Sequence, residues 1–184
     1  KVSFIFIKST EGASLMNPYY NADYAAARKR GYPVGTYHYF THRTSGAQQA
    51  WYFLSHSYFK KGDLPPVLDL EPLPSQVKKM GGAVNMWNRV RNWLQIVEKK
   101  TGMRPILYVS QTFVNRWLDA APDIKRDYPV WIARYGDYKP DIKLWIWQLA
   151  PDGKVRGIAG HTDINVFNGY RNEFKHWLST VSKK

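Results

Sequence analysis

The residues with the clearest chemical content are Asp69 and Glu71, in the stretch Val67-Leu68-Asp69-Leu70-Glu71. Two prolines precede this stretch and Pro72 follows it. Five residues between prolines are too few for a helix and enough for a short strand. Strand side chains alternate between faces, so Val67, Asp69 and Glu71 share one face and Leu68 and Leu70 the other. Like charges at i and i+2 repel and raise each other's pKa, so a purely structural protein gains little from the pair. Hydrolysis of a glycosidic bond needs such an arrangement, with one carboxyl held protonated and carboxylate charge nearby.

The rest of the chain must position that strand. Residues 2–8 alternate as a strand that ends at Gly12, and Asn17-Pro18 opens a helix expected to run to Arg30 and stop at Gly31. The next strand spans 33–40. Ser45, with Gln48 at capping-box spacing, opens a second helix bearing Ala47, Ala50, Trp51, Leu54 and Tyr58 as its apolar stripe. One long helix is expected over about 76–100, with Val84, Trp87, Val90, Leu94 and Val97 on its buried face. Strands follow at 105–110, 129–134, 144–149 and 162–167, with a helix near 111–119 and a terminal one at 171–181.

The first four strands are each followed by a helical pattern, which implies a parallel sheet with right-handed crossovers. The stretch from Tyr135 to Lys143 contains Pro140 and is short for a parallel crossover, so some antiparallel pairing is expected among the last strands. The expected fold is α/β: a small, irregular, TIM-like β/α barrel of about five βα units and a β-rich closure. It is shorter than the ~250 residues of a full eightfold barrel. Its first strand is expected to be missing from this chain, which begins at Lys1 against a core strand. Residues 1–184 are read as one domain, truncated at its N-terminus.

In such barrels the site lies at the C-terminal ends of the strands. Glu11 falls there, as do Tyr37, His38 and Tyr39, then Asp69 and Glu71, Tyr108 and Ser110, Arg134 and Tyr135, and Gln148, while Asp163 lies in the last strand. A ring of carboxylates, tyrosines and amides suits sugar hydrolysis. Each has a plainer alternative: Glu11 pairing with Lys8, His38 as a hydrogen-bonded core residue, Asp163 as a turn residue. No metal is expected, since there is no His-x-x-x-His and Asp-x-Glu alone is unspecific. No phosphate-binding loop, dinucleotide fingerprint or nucleophilic triad from Ser9, Ser110 and His38 emerges, and no cofactor is expected.

Composition narrows the partner. The chain has 27 Lys and Arg against 14 Asp and Glu, a net charge of +13, which favours a polyanion. Nucleic acid ranks last, because the lysines are scattered rather than gathered in a stripe. Aromatic content is 16%, with 8 Trp and 13 Tyr, which fits stacking on sugar faces even if most of these rings are core. There is no cysteine, hence no disulfide or thiolate site, and no apolar run long enough for a transmembrane helix.

Seven stretches in order resemble glycoside hydrolase family 25, the Chalaropsis-type lysozymes or N-acetylmuramidases. They are Ile7-Lys8-Ser9-Thr10-Glu11-Gly12, Gly35-Thr36-Tyr37-His38-Tyr39-Phe40, Pro66 to Glu71, Thr101 to Pro105 with Tyr108, Trp131-Ile132-Ala133-Arg134-Tyr135, Ile146-Trp147-Gln148, and Thr162 to Phe167. The resemblance implies cleavage of the β-1,4 bond between N-acetylmuramic acid and N-acetylglucosamine in peptidoglycan, with retention. It implies Glu71 as general acid, Asp69 as its carboxylate partner and Asp163 as a further active-site carboxylate. Glu11, Tyr37, Tyr108 and Gln148 would line the groove, with Tyr39 and Trp131 as further substrate-binding candidates. The family opens with a strand carrying another Asp, and this chain begins after it. The expected protein is a monomer, secreted or in the cell envelope, acting on bacterial peptidoglycan and attracted by anionic wall polymers. The alternative is a catalytically impaired wall-binding module of the same fold.

Overall fold

The computed structural model describes residues 2–133 and 144–184. Its elements in chain order are β1 (Ile5–Glu11), β2 (Leu15–Met16), α1 (Tyr20–Lys29), β3 (Val34–Tyr39), α2 (Gly46–Ser55), β4 (Val67–Asp69), α3 (Pro74–Lys79) and α4 (Ala83–Thr101). Then come β5 (Ile106–Ser110), α5 (Gln111–Trp117), a 3₁₀ turn (Leu118–Ala120), α6 (Pro122–Asp127), β6 (Val130–Ala133), β7 (Leu144–Gly153), β8 (Thr162–Phe167) and α7 (Arg171–Val181). All the strands form one sheet in the order β2-β1-β3-β4-β5-β6-β7-β8. Strands β1 and β3 to β7 run parallel, and β2 and β8 pair antiparallel with β1 and β7 at the two edges.

Several expectations need correction. The long helix is two: α3 and α4 are separated by Gly81 and Gly82, at φ 87° and 95°, where the chain leaves helical geometry. Val84, expected on the buried face, is exposed in the first turn after that break. The hairpin strand β2 and helix α6 carry too little periodicity to be read from sequence. The β4 ladder ends at Asp69, with one further bond from the Leu70 N–H to the Tyr108 carbonyl, so Glu71 lies past the strand. β7 runs parallel to β6, and only β8 realises the expected antiparallel pairing.

The sheet curls. In a flat sheet β1 and β6 would stand about 19 Å apart, four spacings of ~4.8 Å. Yet the rings of Phe6 on β1 and Trp131 on β6 pack with centroids 5.0 Å apart. The result is a curled half-barrel rather than a closed eightfold one, and no ladder joins β2 to β8 among the described residues. The outer face carries Leu68, Leu107, Val109, Val130 and Ile132 against α2, α4 and α5. Helix α4 supplies Met86, Trp87, Val90, Trp93, Leu94 and Val97, all essentially inaccessible. Burying each such side chain stabilises by roughly 1.5–3 kcal/mol. That exceeds what an exposed ion pair such as Arg91–Asp123 provides, about 0–1 kcal/mol.

Helix α7 covers the end of the half-barrel where the parallel strands begin. Phe174 packs on Phe4 and Phe167, and Trp177 packs on Trp145 and Phe167. Beyond α7 the chain is tied to the loop before β4, the Gly62 N–H donating to the Lys183 carbonyl (2.7 Å) and the Lys183 N–H to the Asp63 carbonyl (2.8 Å). The opposite end, where the parallel strands finish, is left for chemistry.

Gly35 faces Phe6 across the β1–β3 ladder, and a Cβ there would stand 2.0 Å from the Phe6 ring. That ring is held by Phe4 at 6.0 Å and Trp131 at 5.0 Å, so it has little room to yield. Overpacking costs about 1–3 kcal/mol. Gly35→Ala should therefore lower the melting temperature by roughly 3–10 °C. Adding Phe6→Leu should recover part of the loss in the same thermal denaturation measurement.

Candidate active site

Period-two alternation and the curl together decide which side chains meet. Tyr37 and Tyr39 on β3 share the inner face with Val67 and Asp69 on β4, their partners in register. Asp69 is in turn opposite Tyr108 on β5. Glu71 follows at the end of this row and is exposed, whereas Asp69 is part-buried. Tyr108 donates a 2.5 Å hydrogen bond to Gln148 Oε1 on β7. Gln148 is buried and also hydrogen-bonds the Asp163 carboxyl on β8. The β7–β8 register shifts on both sides of Ala150, next to where Asp163 sits.

The electrostatics follow from burial and from the convergence of carboxyls. Asp69 is pushed up to about 8, first by burial, then by the charge of Glu71 and a hydrogen bond with it. Lys8 opposes this rise and Asp163 adds to it. No N–H or hydroxyl donor among the described residues reaches the buried Asp69 Oδ1. Asp163 is raised by its own partial burial, against the hydrogen bond from Gln148. Tyr37 is raised by burial and by Asp69, Asp163 and Glu71 in turn, so three carboxyls act on one phenol. Tyr39 is raised likewise, by burial and by Asp69, Glu71 and Glu11. Both tyrosines are neutral hydroxyl donors at any physiological pH.

The candidates from sequence therefore fall into groups. Asp69, Glu71, Asp163, Tyr37, Tyr39, Tyr108, Gln148 and Glu11 gather at the C-terminal mouth of the curled sheet. Trp131 lies one layer beneath it: the ring is 6% exposed, donates to Asn165 Oδ1 at 3.0 Å and packs edge-on under Tyr108. It supports the groove floor rather than lining the groove. His38 points to the outer face, stacks on Trp93 and bonds Thr10 and Gln49, as the core reading had it. Burial pulls it down to about 4, so it is neutral. Ser110 caps α5 through the Phe113 N–H. Arg134 and Tyr135 lie outside the described residues.

Sequence reasoning named Lys8 as the ion-pair partner of Glu11 in its plainer reading, and the structure makes that pair, but it did not place Lys8 among the site residues. Lys8 stands 2.7 Å from Glu11 Oε2 and 5.0 Å from the Tyr39 ring centroid. The signal lay in the register of β1, which sequence alternation does not reveal. Among the described residues no group of three or more His, Cys, Asp or Glu side chains could hold a metal ion. A hollow of about 360 Å³ at the other end of the sheet, lined by Pro65, Met103, Arg104, Trp145 and the C-terminal residues, has no acidic side chain.

A sequence profile described as Glycosyl hydrolases family 25 matches residues 1–158. The protein YegX of Escherichia coli is 36% identical over 186 residues, covering 100% of this chain and 65% of YegX. Lysozyme M1 of Streptomyces globisporus is 29% identical over 181 residues, covering 91% of this chain and 60% of the lysozyme. The chain thus spans 65% or less of the length of these relatives. A solved family 25 glycosyl hydrolase from Bacillus anthracis superimposes with a TM-score of 0.81 at 30% identity, covering 95% of this chain and 82% of that one. The matched profile stops before β8, so Asp163 is placed in the site by geometry.

The raised Asp69 has a consequence for stability. Folded, it keeps a proton up to pH about 8; unfolded, it loses it near pH 4. Between those values the folded state binds more protons, so stability falls as pH rises. Asp69→Asn removes this burden. It should melt above the wild type near pH 8, with the gap closing toward pH 4, in thermal denaturation across a pH series. A gap independent of pH would rule out the proton linkage.

Proposed function

The chain belongs to glycosyl hydrolase family 25, and from that premise we propose that it is a muramidase cleaving the β-1,4 bond between N-acetylmuramic acid and N-acetylglucosamine in peptidoglycan. The observation that carries this reading is a part-buried Asp69, its carboxyl pushed up by burial and by Glu71, beside an exposed Glu71 at the open mouth of the sheet. Glycoside cleavage needs one proton for the leaving oxygen and negative charge beside a positively charged transition state. The pair can hold that proton between its two carboxyls at neutral pH. Glu71, the exposed member, delivers it to the glycosidic oxygen, and Asp69 holds it in place until then. Asp163, fixed by Gln148 and through it by Tyr108, supplies carboxylate charge from the other side of the groove. Tyr37 and Tyr39 offer neutral hydroxyls to the sugar, and Glu11 borders the same groove.

A binding module without catalysis would have no use for a buried carboxyl oxygen that no donor among the described residues reaches, which is destabilising by roughly 1–3 kcal/mol. That favours the enzyme over the wall-binding alternative. The described residues act in this reading as one catalytic domain, monomeric, secreted or held in the cell envelope, and the +13 charge draws it to anionic wall polymers. Among the described residues no helix is long and apolar enough to cross a membrane. The fold in this reading is a TIM-like barrel whose open side, between the β1–β2 edge and β8, one further strand would close.

Glu71→Gln should reduce release of reducing ends from purified peptidoglycan by about 10³-fold or more while leaving the melting temperature and wall binding near wild type. Mass spectrometry of wild-type products should find N-acetylmuramic acid at the new reducing end. Wild-type-like hydrolysis by the Gln variant would sink the assignment of Glu71. N-acetylglucosamine at the reducing end would sink the muramidase reading.

A further inference from the structure

In a regular strand Lys8 and Glu11, three positions apart, would face opposite sides. The β1 ladder shifts at Ser9: Lys8 pairs with Tyr37, Thr10 with His38 and Glu11 with Tyr39. Tyr37 and Tyr39 face inward, so the bulge turns both Lys8 and Glu11 into the site. The bulge is pinned from several sides. Asn17 Nδ2 donates to the Lys8 carbonyl at 2.8 Å and the Asn17 N–H to the Ser9 carbonyl at 2.7 Å. The Ser9 hydroxyl bonds that of Ser57 at 2.7 Å. Thr10 is held by His38 at 2.8 Å. Gln49 Oε1 accepts from both the Thr41 N–H and His38 Nε2, so His38 Nδ1 is left to accept from Thr10. A network buried on the outer face thus fixes which way β1 points its charged side chains on the inner face.

A part-exposed ion pair adds about 0–1 kcal/mol to stability, too little to account for so tied a bulge. Its more consequential neighbours are ionisable. Lys8 is faced by Glu11 on its own strand and by Tyr37 and Tyr39 on β3, its charge lowers Asp69 on β4, and Asp69, Asp163 and Glu71 all act on Tyr37.

We propose that Lys8 is a positioning residue of the active site: with Glu11 as its counter-ion, its inward-facing ammonium sets the pH at which the Asp69–Glu71 pair releases its last proton. The proposal rests on the muramidase reading for its catalytic meaning. The two residues act with opposite sign. Lys8 favours ionisation of the pair, and Glu11 partly neutralises Lys8 and so keeps the pair protonated. Removing either changes the pH range of the acid without removing the acid.

The experiment compares the wild type with Lys8→Met, Lys8→Arg and Glu11→Gln. Two quantities are followed against pH: the rate of reducing-end release from purified peptidoglycan, and the carbon-13 NMR titration of the Asp69 carboxyl. Lys8→Met should move the alkaline limb and the Asp69 titration up by about half to one pH unit, and Glu11→Gln should move both down. Lys8→Arg should restore the wild-type position. A merely structural role would lower rates without opposite shifts, so unmoved titrations, or shifts of the same sign in both variants, overturn the proposal. If the wild type releases no reducing ends at any pH, the activity reading fails. The carboxyl titration then still decides the role of Lys8.

Discussion

Two carboxyl groups two residues apart, one part-buried at the end of β4 and the other exposed just past it, disfavour each other's charge. Much of the site is arranged around that constraint. Asp69 sits below the rim, where burial favours its protonated form, and Glu71 sits past the last ladder bond, in solvent. Had the ladder run on through Glu71, as the residue pattern suggests, both carboxyls would be equally enclosed. Pro72, which has no N–H to extend the ladder, helps end the strand where the difference in exposure arises. One proton shared between unequal environments is a supply of acid at a pH where a free carboxyl would be empty.

The pair acts only if groups from distant strands reach it, and the curl makes that possible. Lys8, Tyr37, Asp69, Tyr108, Gln148 and Asp163 come from six strands of one sheet. Inside the curl, aromatic rings fill the layer beneath: Phe6 against Trp131, Trp131 under Tyr108. Gly35 belongs to this layer as an absence, the missing side chain into which the Phe6 ring fits. The floor also sets the dielectric. An apolar layer under Asp69 keeps its charge poorly solvated, so the same packing that bends the sheet raises the acid.

Much of this was legible in the sequence. Proline bracketing and alternation identified the strand that carries Asp69, though not that it ends before Glu71, capping signals placed α2, and strand ends gathered most of the site residues. What was not legible shares a physical cause: it depends on register or on third dimensions. The Ser9 bulge reverses the facing of Glu11 relative to Lys8, and nothing in Ser-Thr-Glu announces a bulge. Trp131 reads as a groove aromatic because its strand is correct, but the curl places it under Tyr108. The helix break at Gly81-Gly82 was visible as composition, yet apolar periodicity on both sides outweighed it.

Two ranges of positive charge operate on this molecule, and they do different work. The net +13 acts over distances where salt matters, since charges more than about 8 Å apart are largely screened at physiological ionic strength. It can concentrate the protein at an anionic surface but cannot tune a single carboxyl. Lys8, 2.7 Å from Glu11 and partly enclosed, lies inside that screening distance. Lys8 lowers Asp69 from within the same site, where a part-buried charge is screened less than the scattered surface charges are. Lys8 is held by the geometry of β1. The inward lysine acts on the carboxyls of the site, and the scattered ones set the long-range field.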